Sequence, residues 1–338
     1  VLTVSEVESP SGGPGQQTQM WELLDGSWKV TAAHVSAAQQ AIDPSVWRAV
    51  GYPLVPAAGS GALDGETVAV KDLFAVRGFS VGGGVPARAA TAPAERDHSG
   101  ALQALLSAGA TVTGIAQTDQ LAFGLGGVNA HCGTPPNLAA PGCIPGGSSS
   151  GPATAVRAGQ VSIGLGTDTA GSLRVPAAYQ RLWSLRTTHG AVTATGVLPL
   201  ASSFDAVGWL TRDSDTLARV TGALMEDQAA ELGDLRFDPD LLSAGLSSEV
   251  DTALERWASS LSRSSAYELS EIHIGGEQDA WFQAFRTLQA REAWNAHGRW
   301  IQDHPGALAP DVEQRFQIGA AVSDEQAAAG RRTVDEGR

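Results

Sequence analysis

Two serine-bearing glycine turns and one lysine are the residues of this chain best suited to chemistry. Pro145-Gly146-Gly147-Ser148-Ser149-Ser150-Gly151 is followed by Gly164-Leu165-Gly166-Thr167-Asp168-Thr169-Ala170-Gly171-Ser172-Leu173-Arg174-Val175-Pro176. Lys71 lies upstream, in Val68-Ala69-Val70-Lys71-Asp72. A serine hydroxyl is a weak nucleophile near neutral pH and needs a base within hydrogen-bond reach. Histidine is the usual base. A lysine can replace it where burial or a nearby positive charge keeps the amine neutral. Lys71 ends the apolar run Thr67-Val68-Ala69-Val70, which predicts a buried strand. A lysine at the end of such a strand lies near the core, although the same pattern also fits one that snorkels to the surface.

Ser172 follows Gly171 and precedes an expected helix start at Leu173. Glycine before a serine lets the backbone turn sharply and leaves amide N–H groups free. The N–H groups of Thr169, Ala170 and Gly171 are candidates for holding a developing oxyanion. Taken alone, Ser172 fits an N-capping serine equally well. The Ser148–Ser150 tract is short for a flexible linker. It runs into an alanine-rich segment, Pro152 to Gly159, with proline in a first helical turn and glycine at the end. A Gly-Lys-Ser/Thr phosphate loop is absent. Gly164-x-Gly166 lacks the third glycine of a dinucleotide fingerprint.

Together these stretches closely resemble the amidase signature family, in wording nearest to its indole-acetamide hydrolase-like and allophanate hydrolase-like members. The resemblance runs from about Leu63 to about Leu224. It takes in Thr118-Asp119-Gln120, Asn129-Ala130-His131-Cys132-Gly133-Thr134-Pro135 and Ser203-Phe204-Asp205-Ala206-Val207-Gly208-Trp209. It implies that Ser172 is the nucleophile, that Ser148 follows a cis peptide bond and bridges it to Lys71, and that Lys71 is the base. It also places Phe123 and Leu125, in Leu121-Ala122-Phe123-Gly124-Leu125-Gly126, against the acyl group. The implied activity is cleavage of the C–N bond of a small carboxamide through a Ser172 acyl-enzyme, with no cofactor and no metal. Two alternatives stand beside it: a catalytically impaired member that binds a ligand or partner, and an amidotransferase A-type subunit. Three positions depart from the family wording. Ala170 stands for a glycine in the nucleophile turn, and Arg181 and Ser184 stand where two glycines are usual.

The elements that must position these residues follow from periodicity. Thr67–Val70, Thr111–Ala116 and Val161–Leu165 are expected strands, and Asp97–Ala108, Asp213–Met225 and Glu249–Leu261 expected helices. A long helix is expected from Glu277 to about Ile301, with an aromatic stripe of Trp281, Phe282, Phe285, Trp294 and Trp300. Such a stripe is core, or in part an apolar substrate funnel. Alternating strands and helices predict an α/β fold. The resemblance specifies a large twisted mixed β-sheet covered by helices on both faces. Residues 1–62 are expected to form an arm and a small helical region, with a candidate dimer contact. Residues 63–338 are expected to be the catalytic domain, without the C-terminal part usual in the family.

The chain has 338 residues and a formal net charge of −14. That acidity argues against a nucleic-acid surface, which needs clustered Lys and Arg. Cys132 and Cys143 are too few for a disulfide scaffold and are expected as thiols. His131 and His189 are isolated and expected to be structural. No apolar run has membrane-spanning length, and no signal-peptide pattern opens the sequence, so a cytoplasmic protein acting on a small molecule is expected.

Overall fold

A computed structural model describes residues 1–8, 14–37, 42–225, 235–238, 247–263, 269–273 and 277–337. Contacts divide the chain into two units: Val1–Glu226 with Gln289–Val322, and Asp227–Leu288 with Ser323–Arg338.

The first unit opens with three antiparallel strands, β1 (Leu2–Glu8), β2 (Pro14–Leu24) and β3 (Ser27–Ala37). This corrects the expected arm and helical region, since no helix occurs among the described residues of 1–62. The reason is local. Asp25 and Gly26 adopt φ of 51° and 75°, as a two-residue Asp-Gly hairpin turn requires. The turn pairs Leu23 with Trp28 and Trp21 with Val30. The expected boundary at residue 62 also falls elsewhere, because β4 (Trp47–Val55) already pairs with the main sheet.

That sheet has six strands in the order β4-β6-β5-β7-β9-β8. They are β4, β5 (Thr67–Lys71), β6 (Thr111–Ala116), β7 (Ile163–Asp168), β8 (Trp183–Arg186) and β9 (Ala206–Thr211). The central strands β6, β5 and β7 are parallel, and β4, β9 and β8 join antiparallel. Helices α1 (Pro86–Thr91), α2 (Gly100–Ser107), α3 (Ser150–Arg157), α4 (Arg174–Gln180) and α5 (Ser214–Leu224) lie between the strands or follow the last of them.

Side-chain alternation in β5 shows why both faces need cover. Val68 and Val70 join one cluster with Leu102, Leu105 and Leu106 of α2 and Val220 of α5. Ala69 joins another with Ala155 and Val156 of α3. The α/β fold with helices on both faces of a mixed sheet is therefore present. The same alternation directs Lys71 toward the face that α3 covers. The expected helix at Asp97 starts three residues later, after Ser99 at the N-cap.

Later in the chain come α6 (Ser248–Ser262), α7 (Gln278–Asp303), α8 (Pro310–Ala320) and α9 (Asp324–Glu336), with a parallel strand pair, β10 (Leu235–Phe237) and β11 (Leu269–Glu271). In the second unit, Gly330 of α9 faces Ala284 and Leu288 of α7. In the first unit, Ala293 and Ile301 of α7 pack with Val312 and Phe316 of α8, and with Leu121 and Leu200. Trp294 and Trp300 lie against this cluster, whereas Phe282 is exposed. No helix among the described residues is long and apolar enough to cross a membrane.

Candidate active site

Lys71 and Asp168 end the neighbouring parallel strands β5 and β7. The chain leaves β5 toward β6 on one side and returns to β7 on the other. Open α/β sheets form crevices at the carboxyl ends of strands where the connections diverge in this way. Ser148 sits just ahead of α3, and its peptide bond to Gly147 is cis. Lys71 Nζ lies 2.9 Å from Ser148 Oγ and 2.9 Å from Thr167 Oγ1. Lys71 and Ser148 have no solvent exposure. Burial pulls the lysine ammonium down from 10.5 to about 7, against the opposing fields of Asp119, Asp168 and Asp205. Lys71 thus populates the neutral amine near physiological pH, the form a base requires.

The Ser172 turn is stitched to the Ser148–Ser150 loop. Ser149 donates its backbone N–H to the Ser172 carbonyl at 3.2 Å and its hydroxyl to the Thr167 carbonyl at 3.3 Å. Gly146 approaches α4 so closely that a Cβ there would lie 2.9 Å from Pro176 Cα. Asp168 holds the turn from inside. It accepts from the amides of Gly171 at 2.7 Å, Leu173 at 3.1 Å and Arg174 at 3.3 Å. Arg174 grips both carboxylate oxygens, at 2.9 and 3.1 Å, and Arg186 approaches at 3.4 Å. Burial opposes the Asp168 charge, but the Arg174 contacts and the turn amides outweigh it and hold the carboxyl at about 2.

Of the three expected oxyanion donors, the Gly171 N–H is therefore engaged by Asp168. Thr169 and Ala170 have no backbone N–H acceptor among the described residues, and neither does Ser172. Ser172 is 4% exposed. It opens on a cavity of about 300 Å³ that is also lined by Phe123, Leu125, Leu200, Gln289 and Arg315. Phe123 and Leu125 thus share one cavity wall with the serine. Phe123 is held by an edge-on contact with Phe316, the ring centres 5.0 Å apart. The backbone before it is unusual, with Leu121 and Ala122 at φ of 50° and 59°. Consecutive left-handed non-glycine residues persist only where surrounding packing determines them, and both are buried.

His131 and His189 hydrogen-bond the carbonyls of Ala307 and Ser202, both at 2.9 Å, as structural histidines do. Cys132 and Cys143 are free thiols. Among the described residues, no group of three His, Cys, Asp or Glu could hold a metal ion. Sequence reasoning missed Thr167 as a partner of Lys71, and Arg174 and Arg186 as partners of Asp168. All but Arg186 lie inside the quoted nucleophile stretch, where the glycines drew attention away from them.

Comparison with known proteins decides the family. A family model described as Amidase matches residues 27–275. The chain belongs to the amidase family. It is similar to Amidase 1 of Oryza sativa subsp. japonica, with 49% identity over 48% of this chain and 38% of that protein. It is also similar to Indoleacetamide hydrolase of Pseudomonas syringae pv. syringae, with 35% identity over 62% of this chain and 48% of that protein. A solved structure titled as an amidase superposes with a TM-score of 0.73 and 29% identity, covering 82% of this chain and 64% of that one. The chain thus spans less than two thirds of each of these three proteins.

Within this amidase frame the three departures separate. Ala170 is not among the residues with positive φ, so its Cβ is tolerated in the Ser172 turn. Ser184 lies in β8, where extended backbone suits any residue. Arg181 caps α4 at φ 53° and ψ 52°, a left-handed position that favours glycine.

Proposed function

We propose that this family member is a serine amidohydrolase acting on a small carboxamide whose acyl group is largely apolar. The observation that carries the reading is the fully buried Lys71, within hydrogen-bond reach of Ser148 Oγ and lowered by burial to about 7. In the proposed cycle Ser172 Oγ attacks the amide carbonyl carbon. Its proton passes to Ser148 Oγ as the Ser148 proton passes to Lys71 Nζ. The tetrahedral oxyanion is received by the unengaged amides of Thr169 and Ala170, with that of Ser172 itself. The relay returns a proton to the leaving nitrogen, the C–N bond breaks, and the amine departs. Water then attacks the acyl-enzyme, giving its proton to the relay, and the carboxylic acid is released as Ser172 regains its hydrogen. The apolar side chains of Phe123, Leu125 and Leu200 favour an aryl or alkyl acyl group.

Ammonia release from aryl-acetamides, aliphatic amides, biuret and allophanate tests the proposal, with Ser172→Ala beside the parent chain. Turnover on an apolar amide that disappears in the variant is expected. Equal release by both proteins would sink the serine mechanism. A folded parent that releases no ammonia from any of them, yet binds one, would favour the ligand-binding alternative.

A further inference from the structure

The relay proposed above creates a charge in an unfavourable place. When Lys71 takes the Ser148 proton, an ammonium forms at a site without solvent contact. A buried cation is unstable unless a counter-charge faces it. Three carboxylates favour the charged lysine: Asp119 after β6, Asp168 at the end of β7, and Asp205 just before β9. Two of these are already satisfied. Asp168 is gripped by Arg174, Arg186 and three amides. Asp205 accepts the Thr169 hydroxyl at 2.6 Å and the amides of Leu200 and Ala201 at 2.9 and 3.1 Å.

Asp119 differs. It is buried, and its Oδ2 accepts the Gly127 amide, at 3.1 Å. Among the described residues its Oδ1 has no hydrogen-bond partner, and no Lys or Arg lies within ion-pair distance of it. Arg315 of α8 also faces it electrostatically, but that guanidinium is engaged by the Phe123 carbonyl and Asp311. The unpartnered oxygen lies against the peptide that carries Ser148, since a Cβ on Gly147 would fall 2.5 Å from it. The preceding Thr118 hydroxyl donates to the Ser148 carbonyl at 2.8 Å. A buried carboxylate left this incomplete calls for a reason.

We propose that Asp119 is the counter-charge for the Lys71 ammonium formed during acyl transfer, a positioning residue that acts on the base through its field. The inference rests on the serine amidohydrolase reading. It explains why the least neutralised of the three acids sits beside the serine loop.

Asp119→Asn tests it, because the amide keeps an oxygen for Gly127. The chain is treated with phenylmethanesulfonyl fluoride across pH, and the rate of Ser172 sulfonylation is followed. The parent rate should rise through about pH 7, where Lys71 becomes neutral. Removing a negative charge destabilises the ammonium, so the acid limb of the variant should move lower by about one unit or more. Its plateau should fall about tenfold, as expected for a weaker base. An unmoved limb overturns the inference even if the plateau falls, because a merely structural role would lower the rate without shifting the limb. A measurement on the parent guards against a variant that fails to fold. Carbon-13 NMR of the Asp119 γ-carbon should show a response to Lys71 deprotonation, and its absence also overturns the proposal. Labelling that persists in Ser172→Ala would instead defeat the underlying serine reading.

Discussion

Two segments shape the cavity in front of Ser172, and they are held by opposite means. The arm that carries Ser172, Asp168 to Arg181, is fixed by charge. Its carboxylate takes three amides and two guanidiniums and stays ionised down to about 2. The wall, Asp119 to Gly127, is fixed by packing. Its carboxylate accepts one amide, and burial lifts it to about 6, against the Gly127 hydrogen bond and the Lys71 field. Its backbone keeps two left-handed residues in place because Leu121 and Ala122 are buried in the core. One arm holds Ser172 through satisfied electrostatics; the other leaves a charge unsatisfied beside Lys71. The contrast separates a group that builds the site from one that tunes it.

Asp168→Asn should break this contrast most severely. The change removes the anion that orients the Gly171 amide and Arg174, costing about 3 kcal/mol of stability. It should also slow Ser172 sulfonylation about a hundredfold as the turn loses its aim. The depressed pKa sets the pH dependence. The Asp168 contribution is fully present above its ordinary 3.8 and is lost as pH falls toward about 2. Thermal melts should therefore show a wide gap from the parent at pH 7 that narrows below pH 4. A gap independent of pH would mean that Asp168 acts by shape alone.

Asp119→Asn should move stability the other way. A raised carboxyl pKa means that ionisation opposes folding, fully above about 6 and not at all below 3.8. The variant should melt above the parent at pH 8, by about 3 kcal/mol in unfolding free energy at most. The difference should vanish between pH 6 and pH 4. A variant at once more stable and slower is the pattern expected where a site retains strain for activity. Equal melting at pH 8 would place the two carboxylates in one class and dissolve the comparison.

The contrast also marks what was legible in the sequence. Lys71 and the two serine turns stood out because glycine turns and a strand-ending lysine are local patterns, whereas Ser148 and Ser172 were singled out within those turns by the family resemblance; the α/β alternation could be read from periodicity. The partners of Asp168 could not. Arg186 meets it from β8, 18 residues away, through a contact that only the sheet order creates. Asp119 stands in a recognisable motif, but the packing of its carboxylate depends on Gly124 and Gly127 meeting Oδ2 and on Gly147 meeting Oδ1. The N-terminal hairpin was missed for another reason. Its Asp25-Gly26 turn is a local hairpin signal that the expectation of an arm and a small helical region left out.

The smallest expected effect separates strain that serves the cavity from strain that does not. Arg181 is exposed at the end of α4, in the same left-handed region as Leu121. That conformation costs an L-residue roughly 1–2 kcal/mol, and glycine would relieve it while adding roughly 0.5–1 kcal/mol of unfolded-state entropy. Arg181→Gly should therefore gain about 0.5 kcal/mol in urea unfolding, with the rate of Ser172 sulfonylation unchanged. Leu121→Gly removes a comparable backbone strain, but its side chain is 1% exposed. The lost packing should outweigh the relief and destabilise the chain by about 3 kcal/mol. If both variants gained stability, packing would not be what holds the wall. If both lost it, the Arg181 side chain would be supporting α4 by contacts that outweigh its backbone strain.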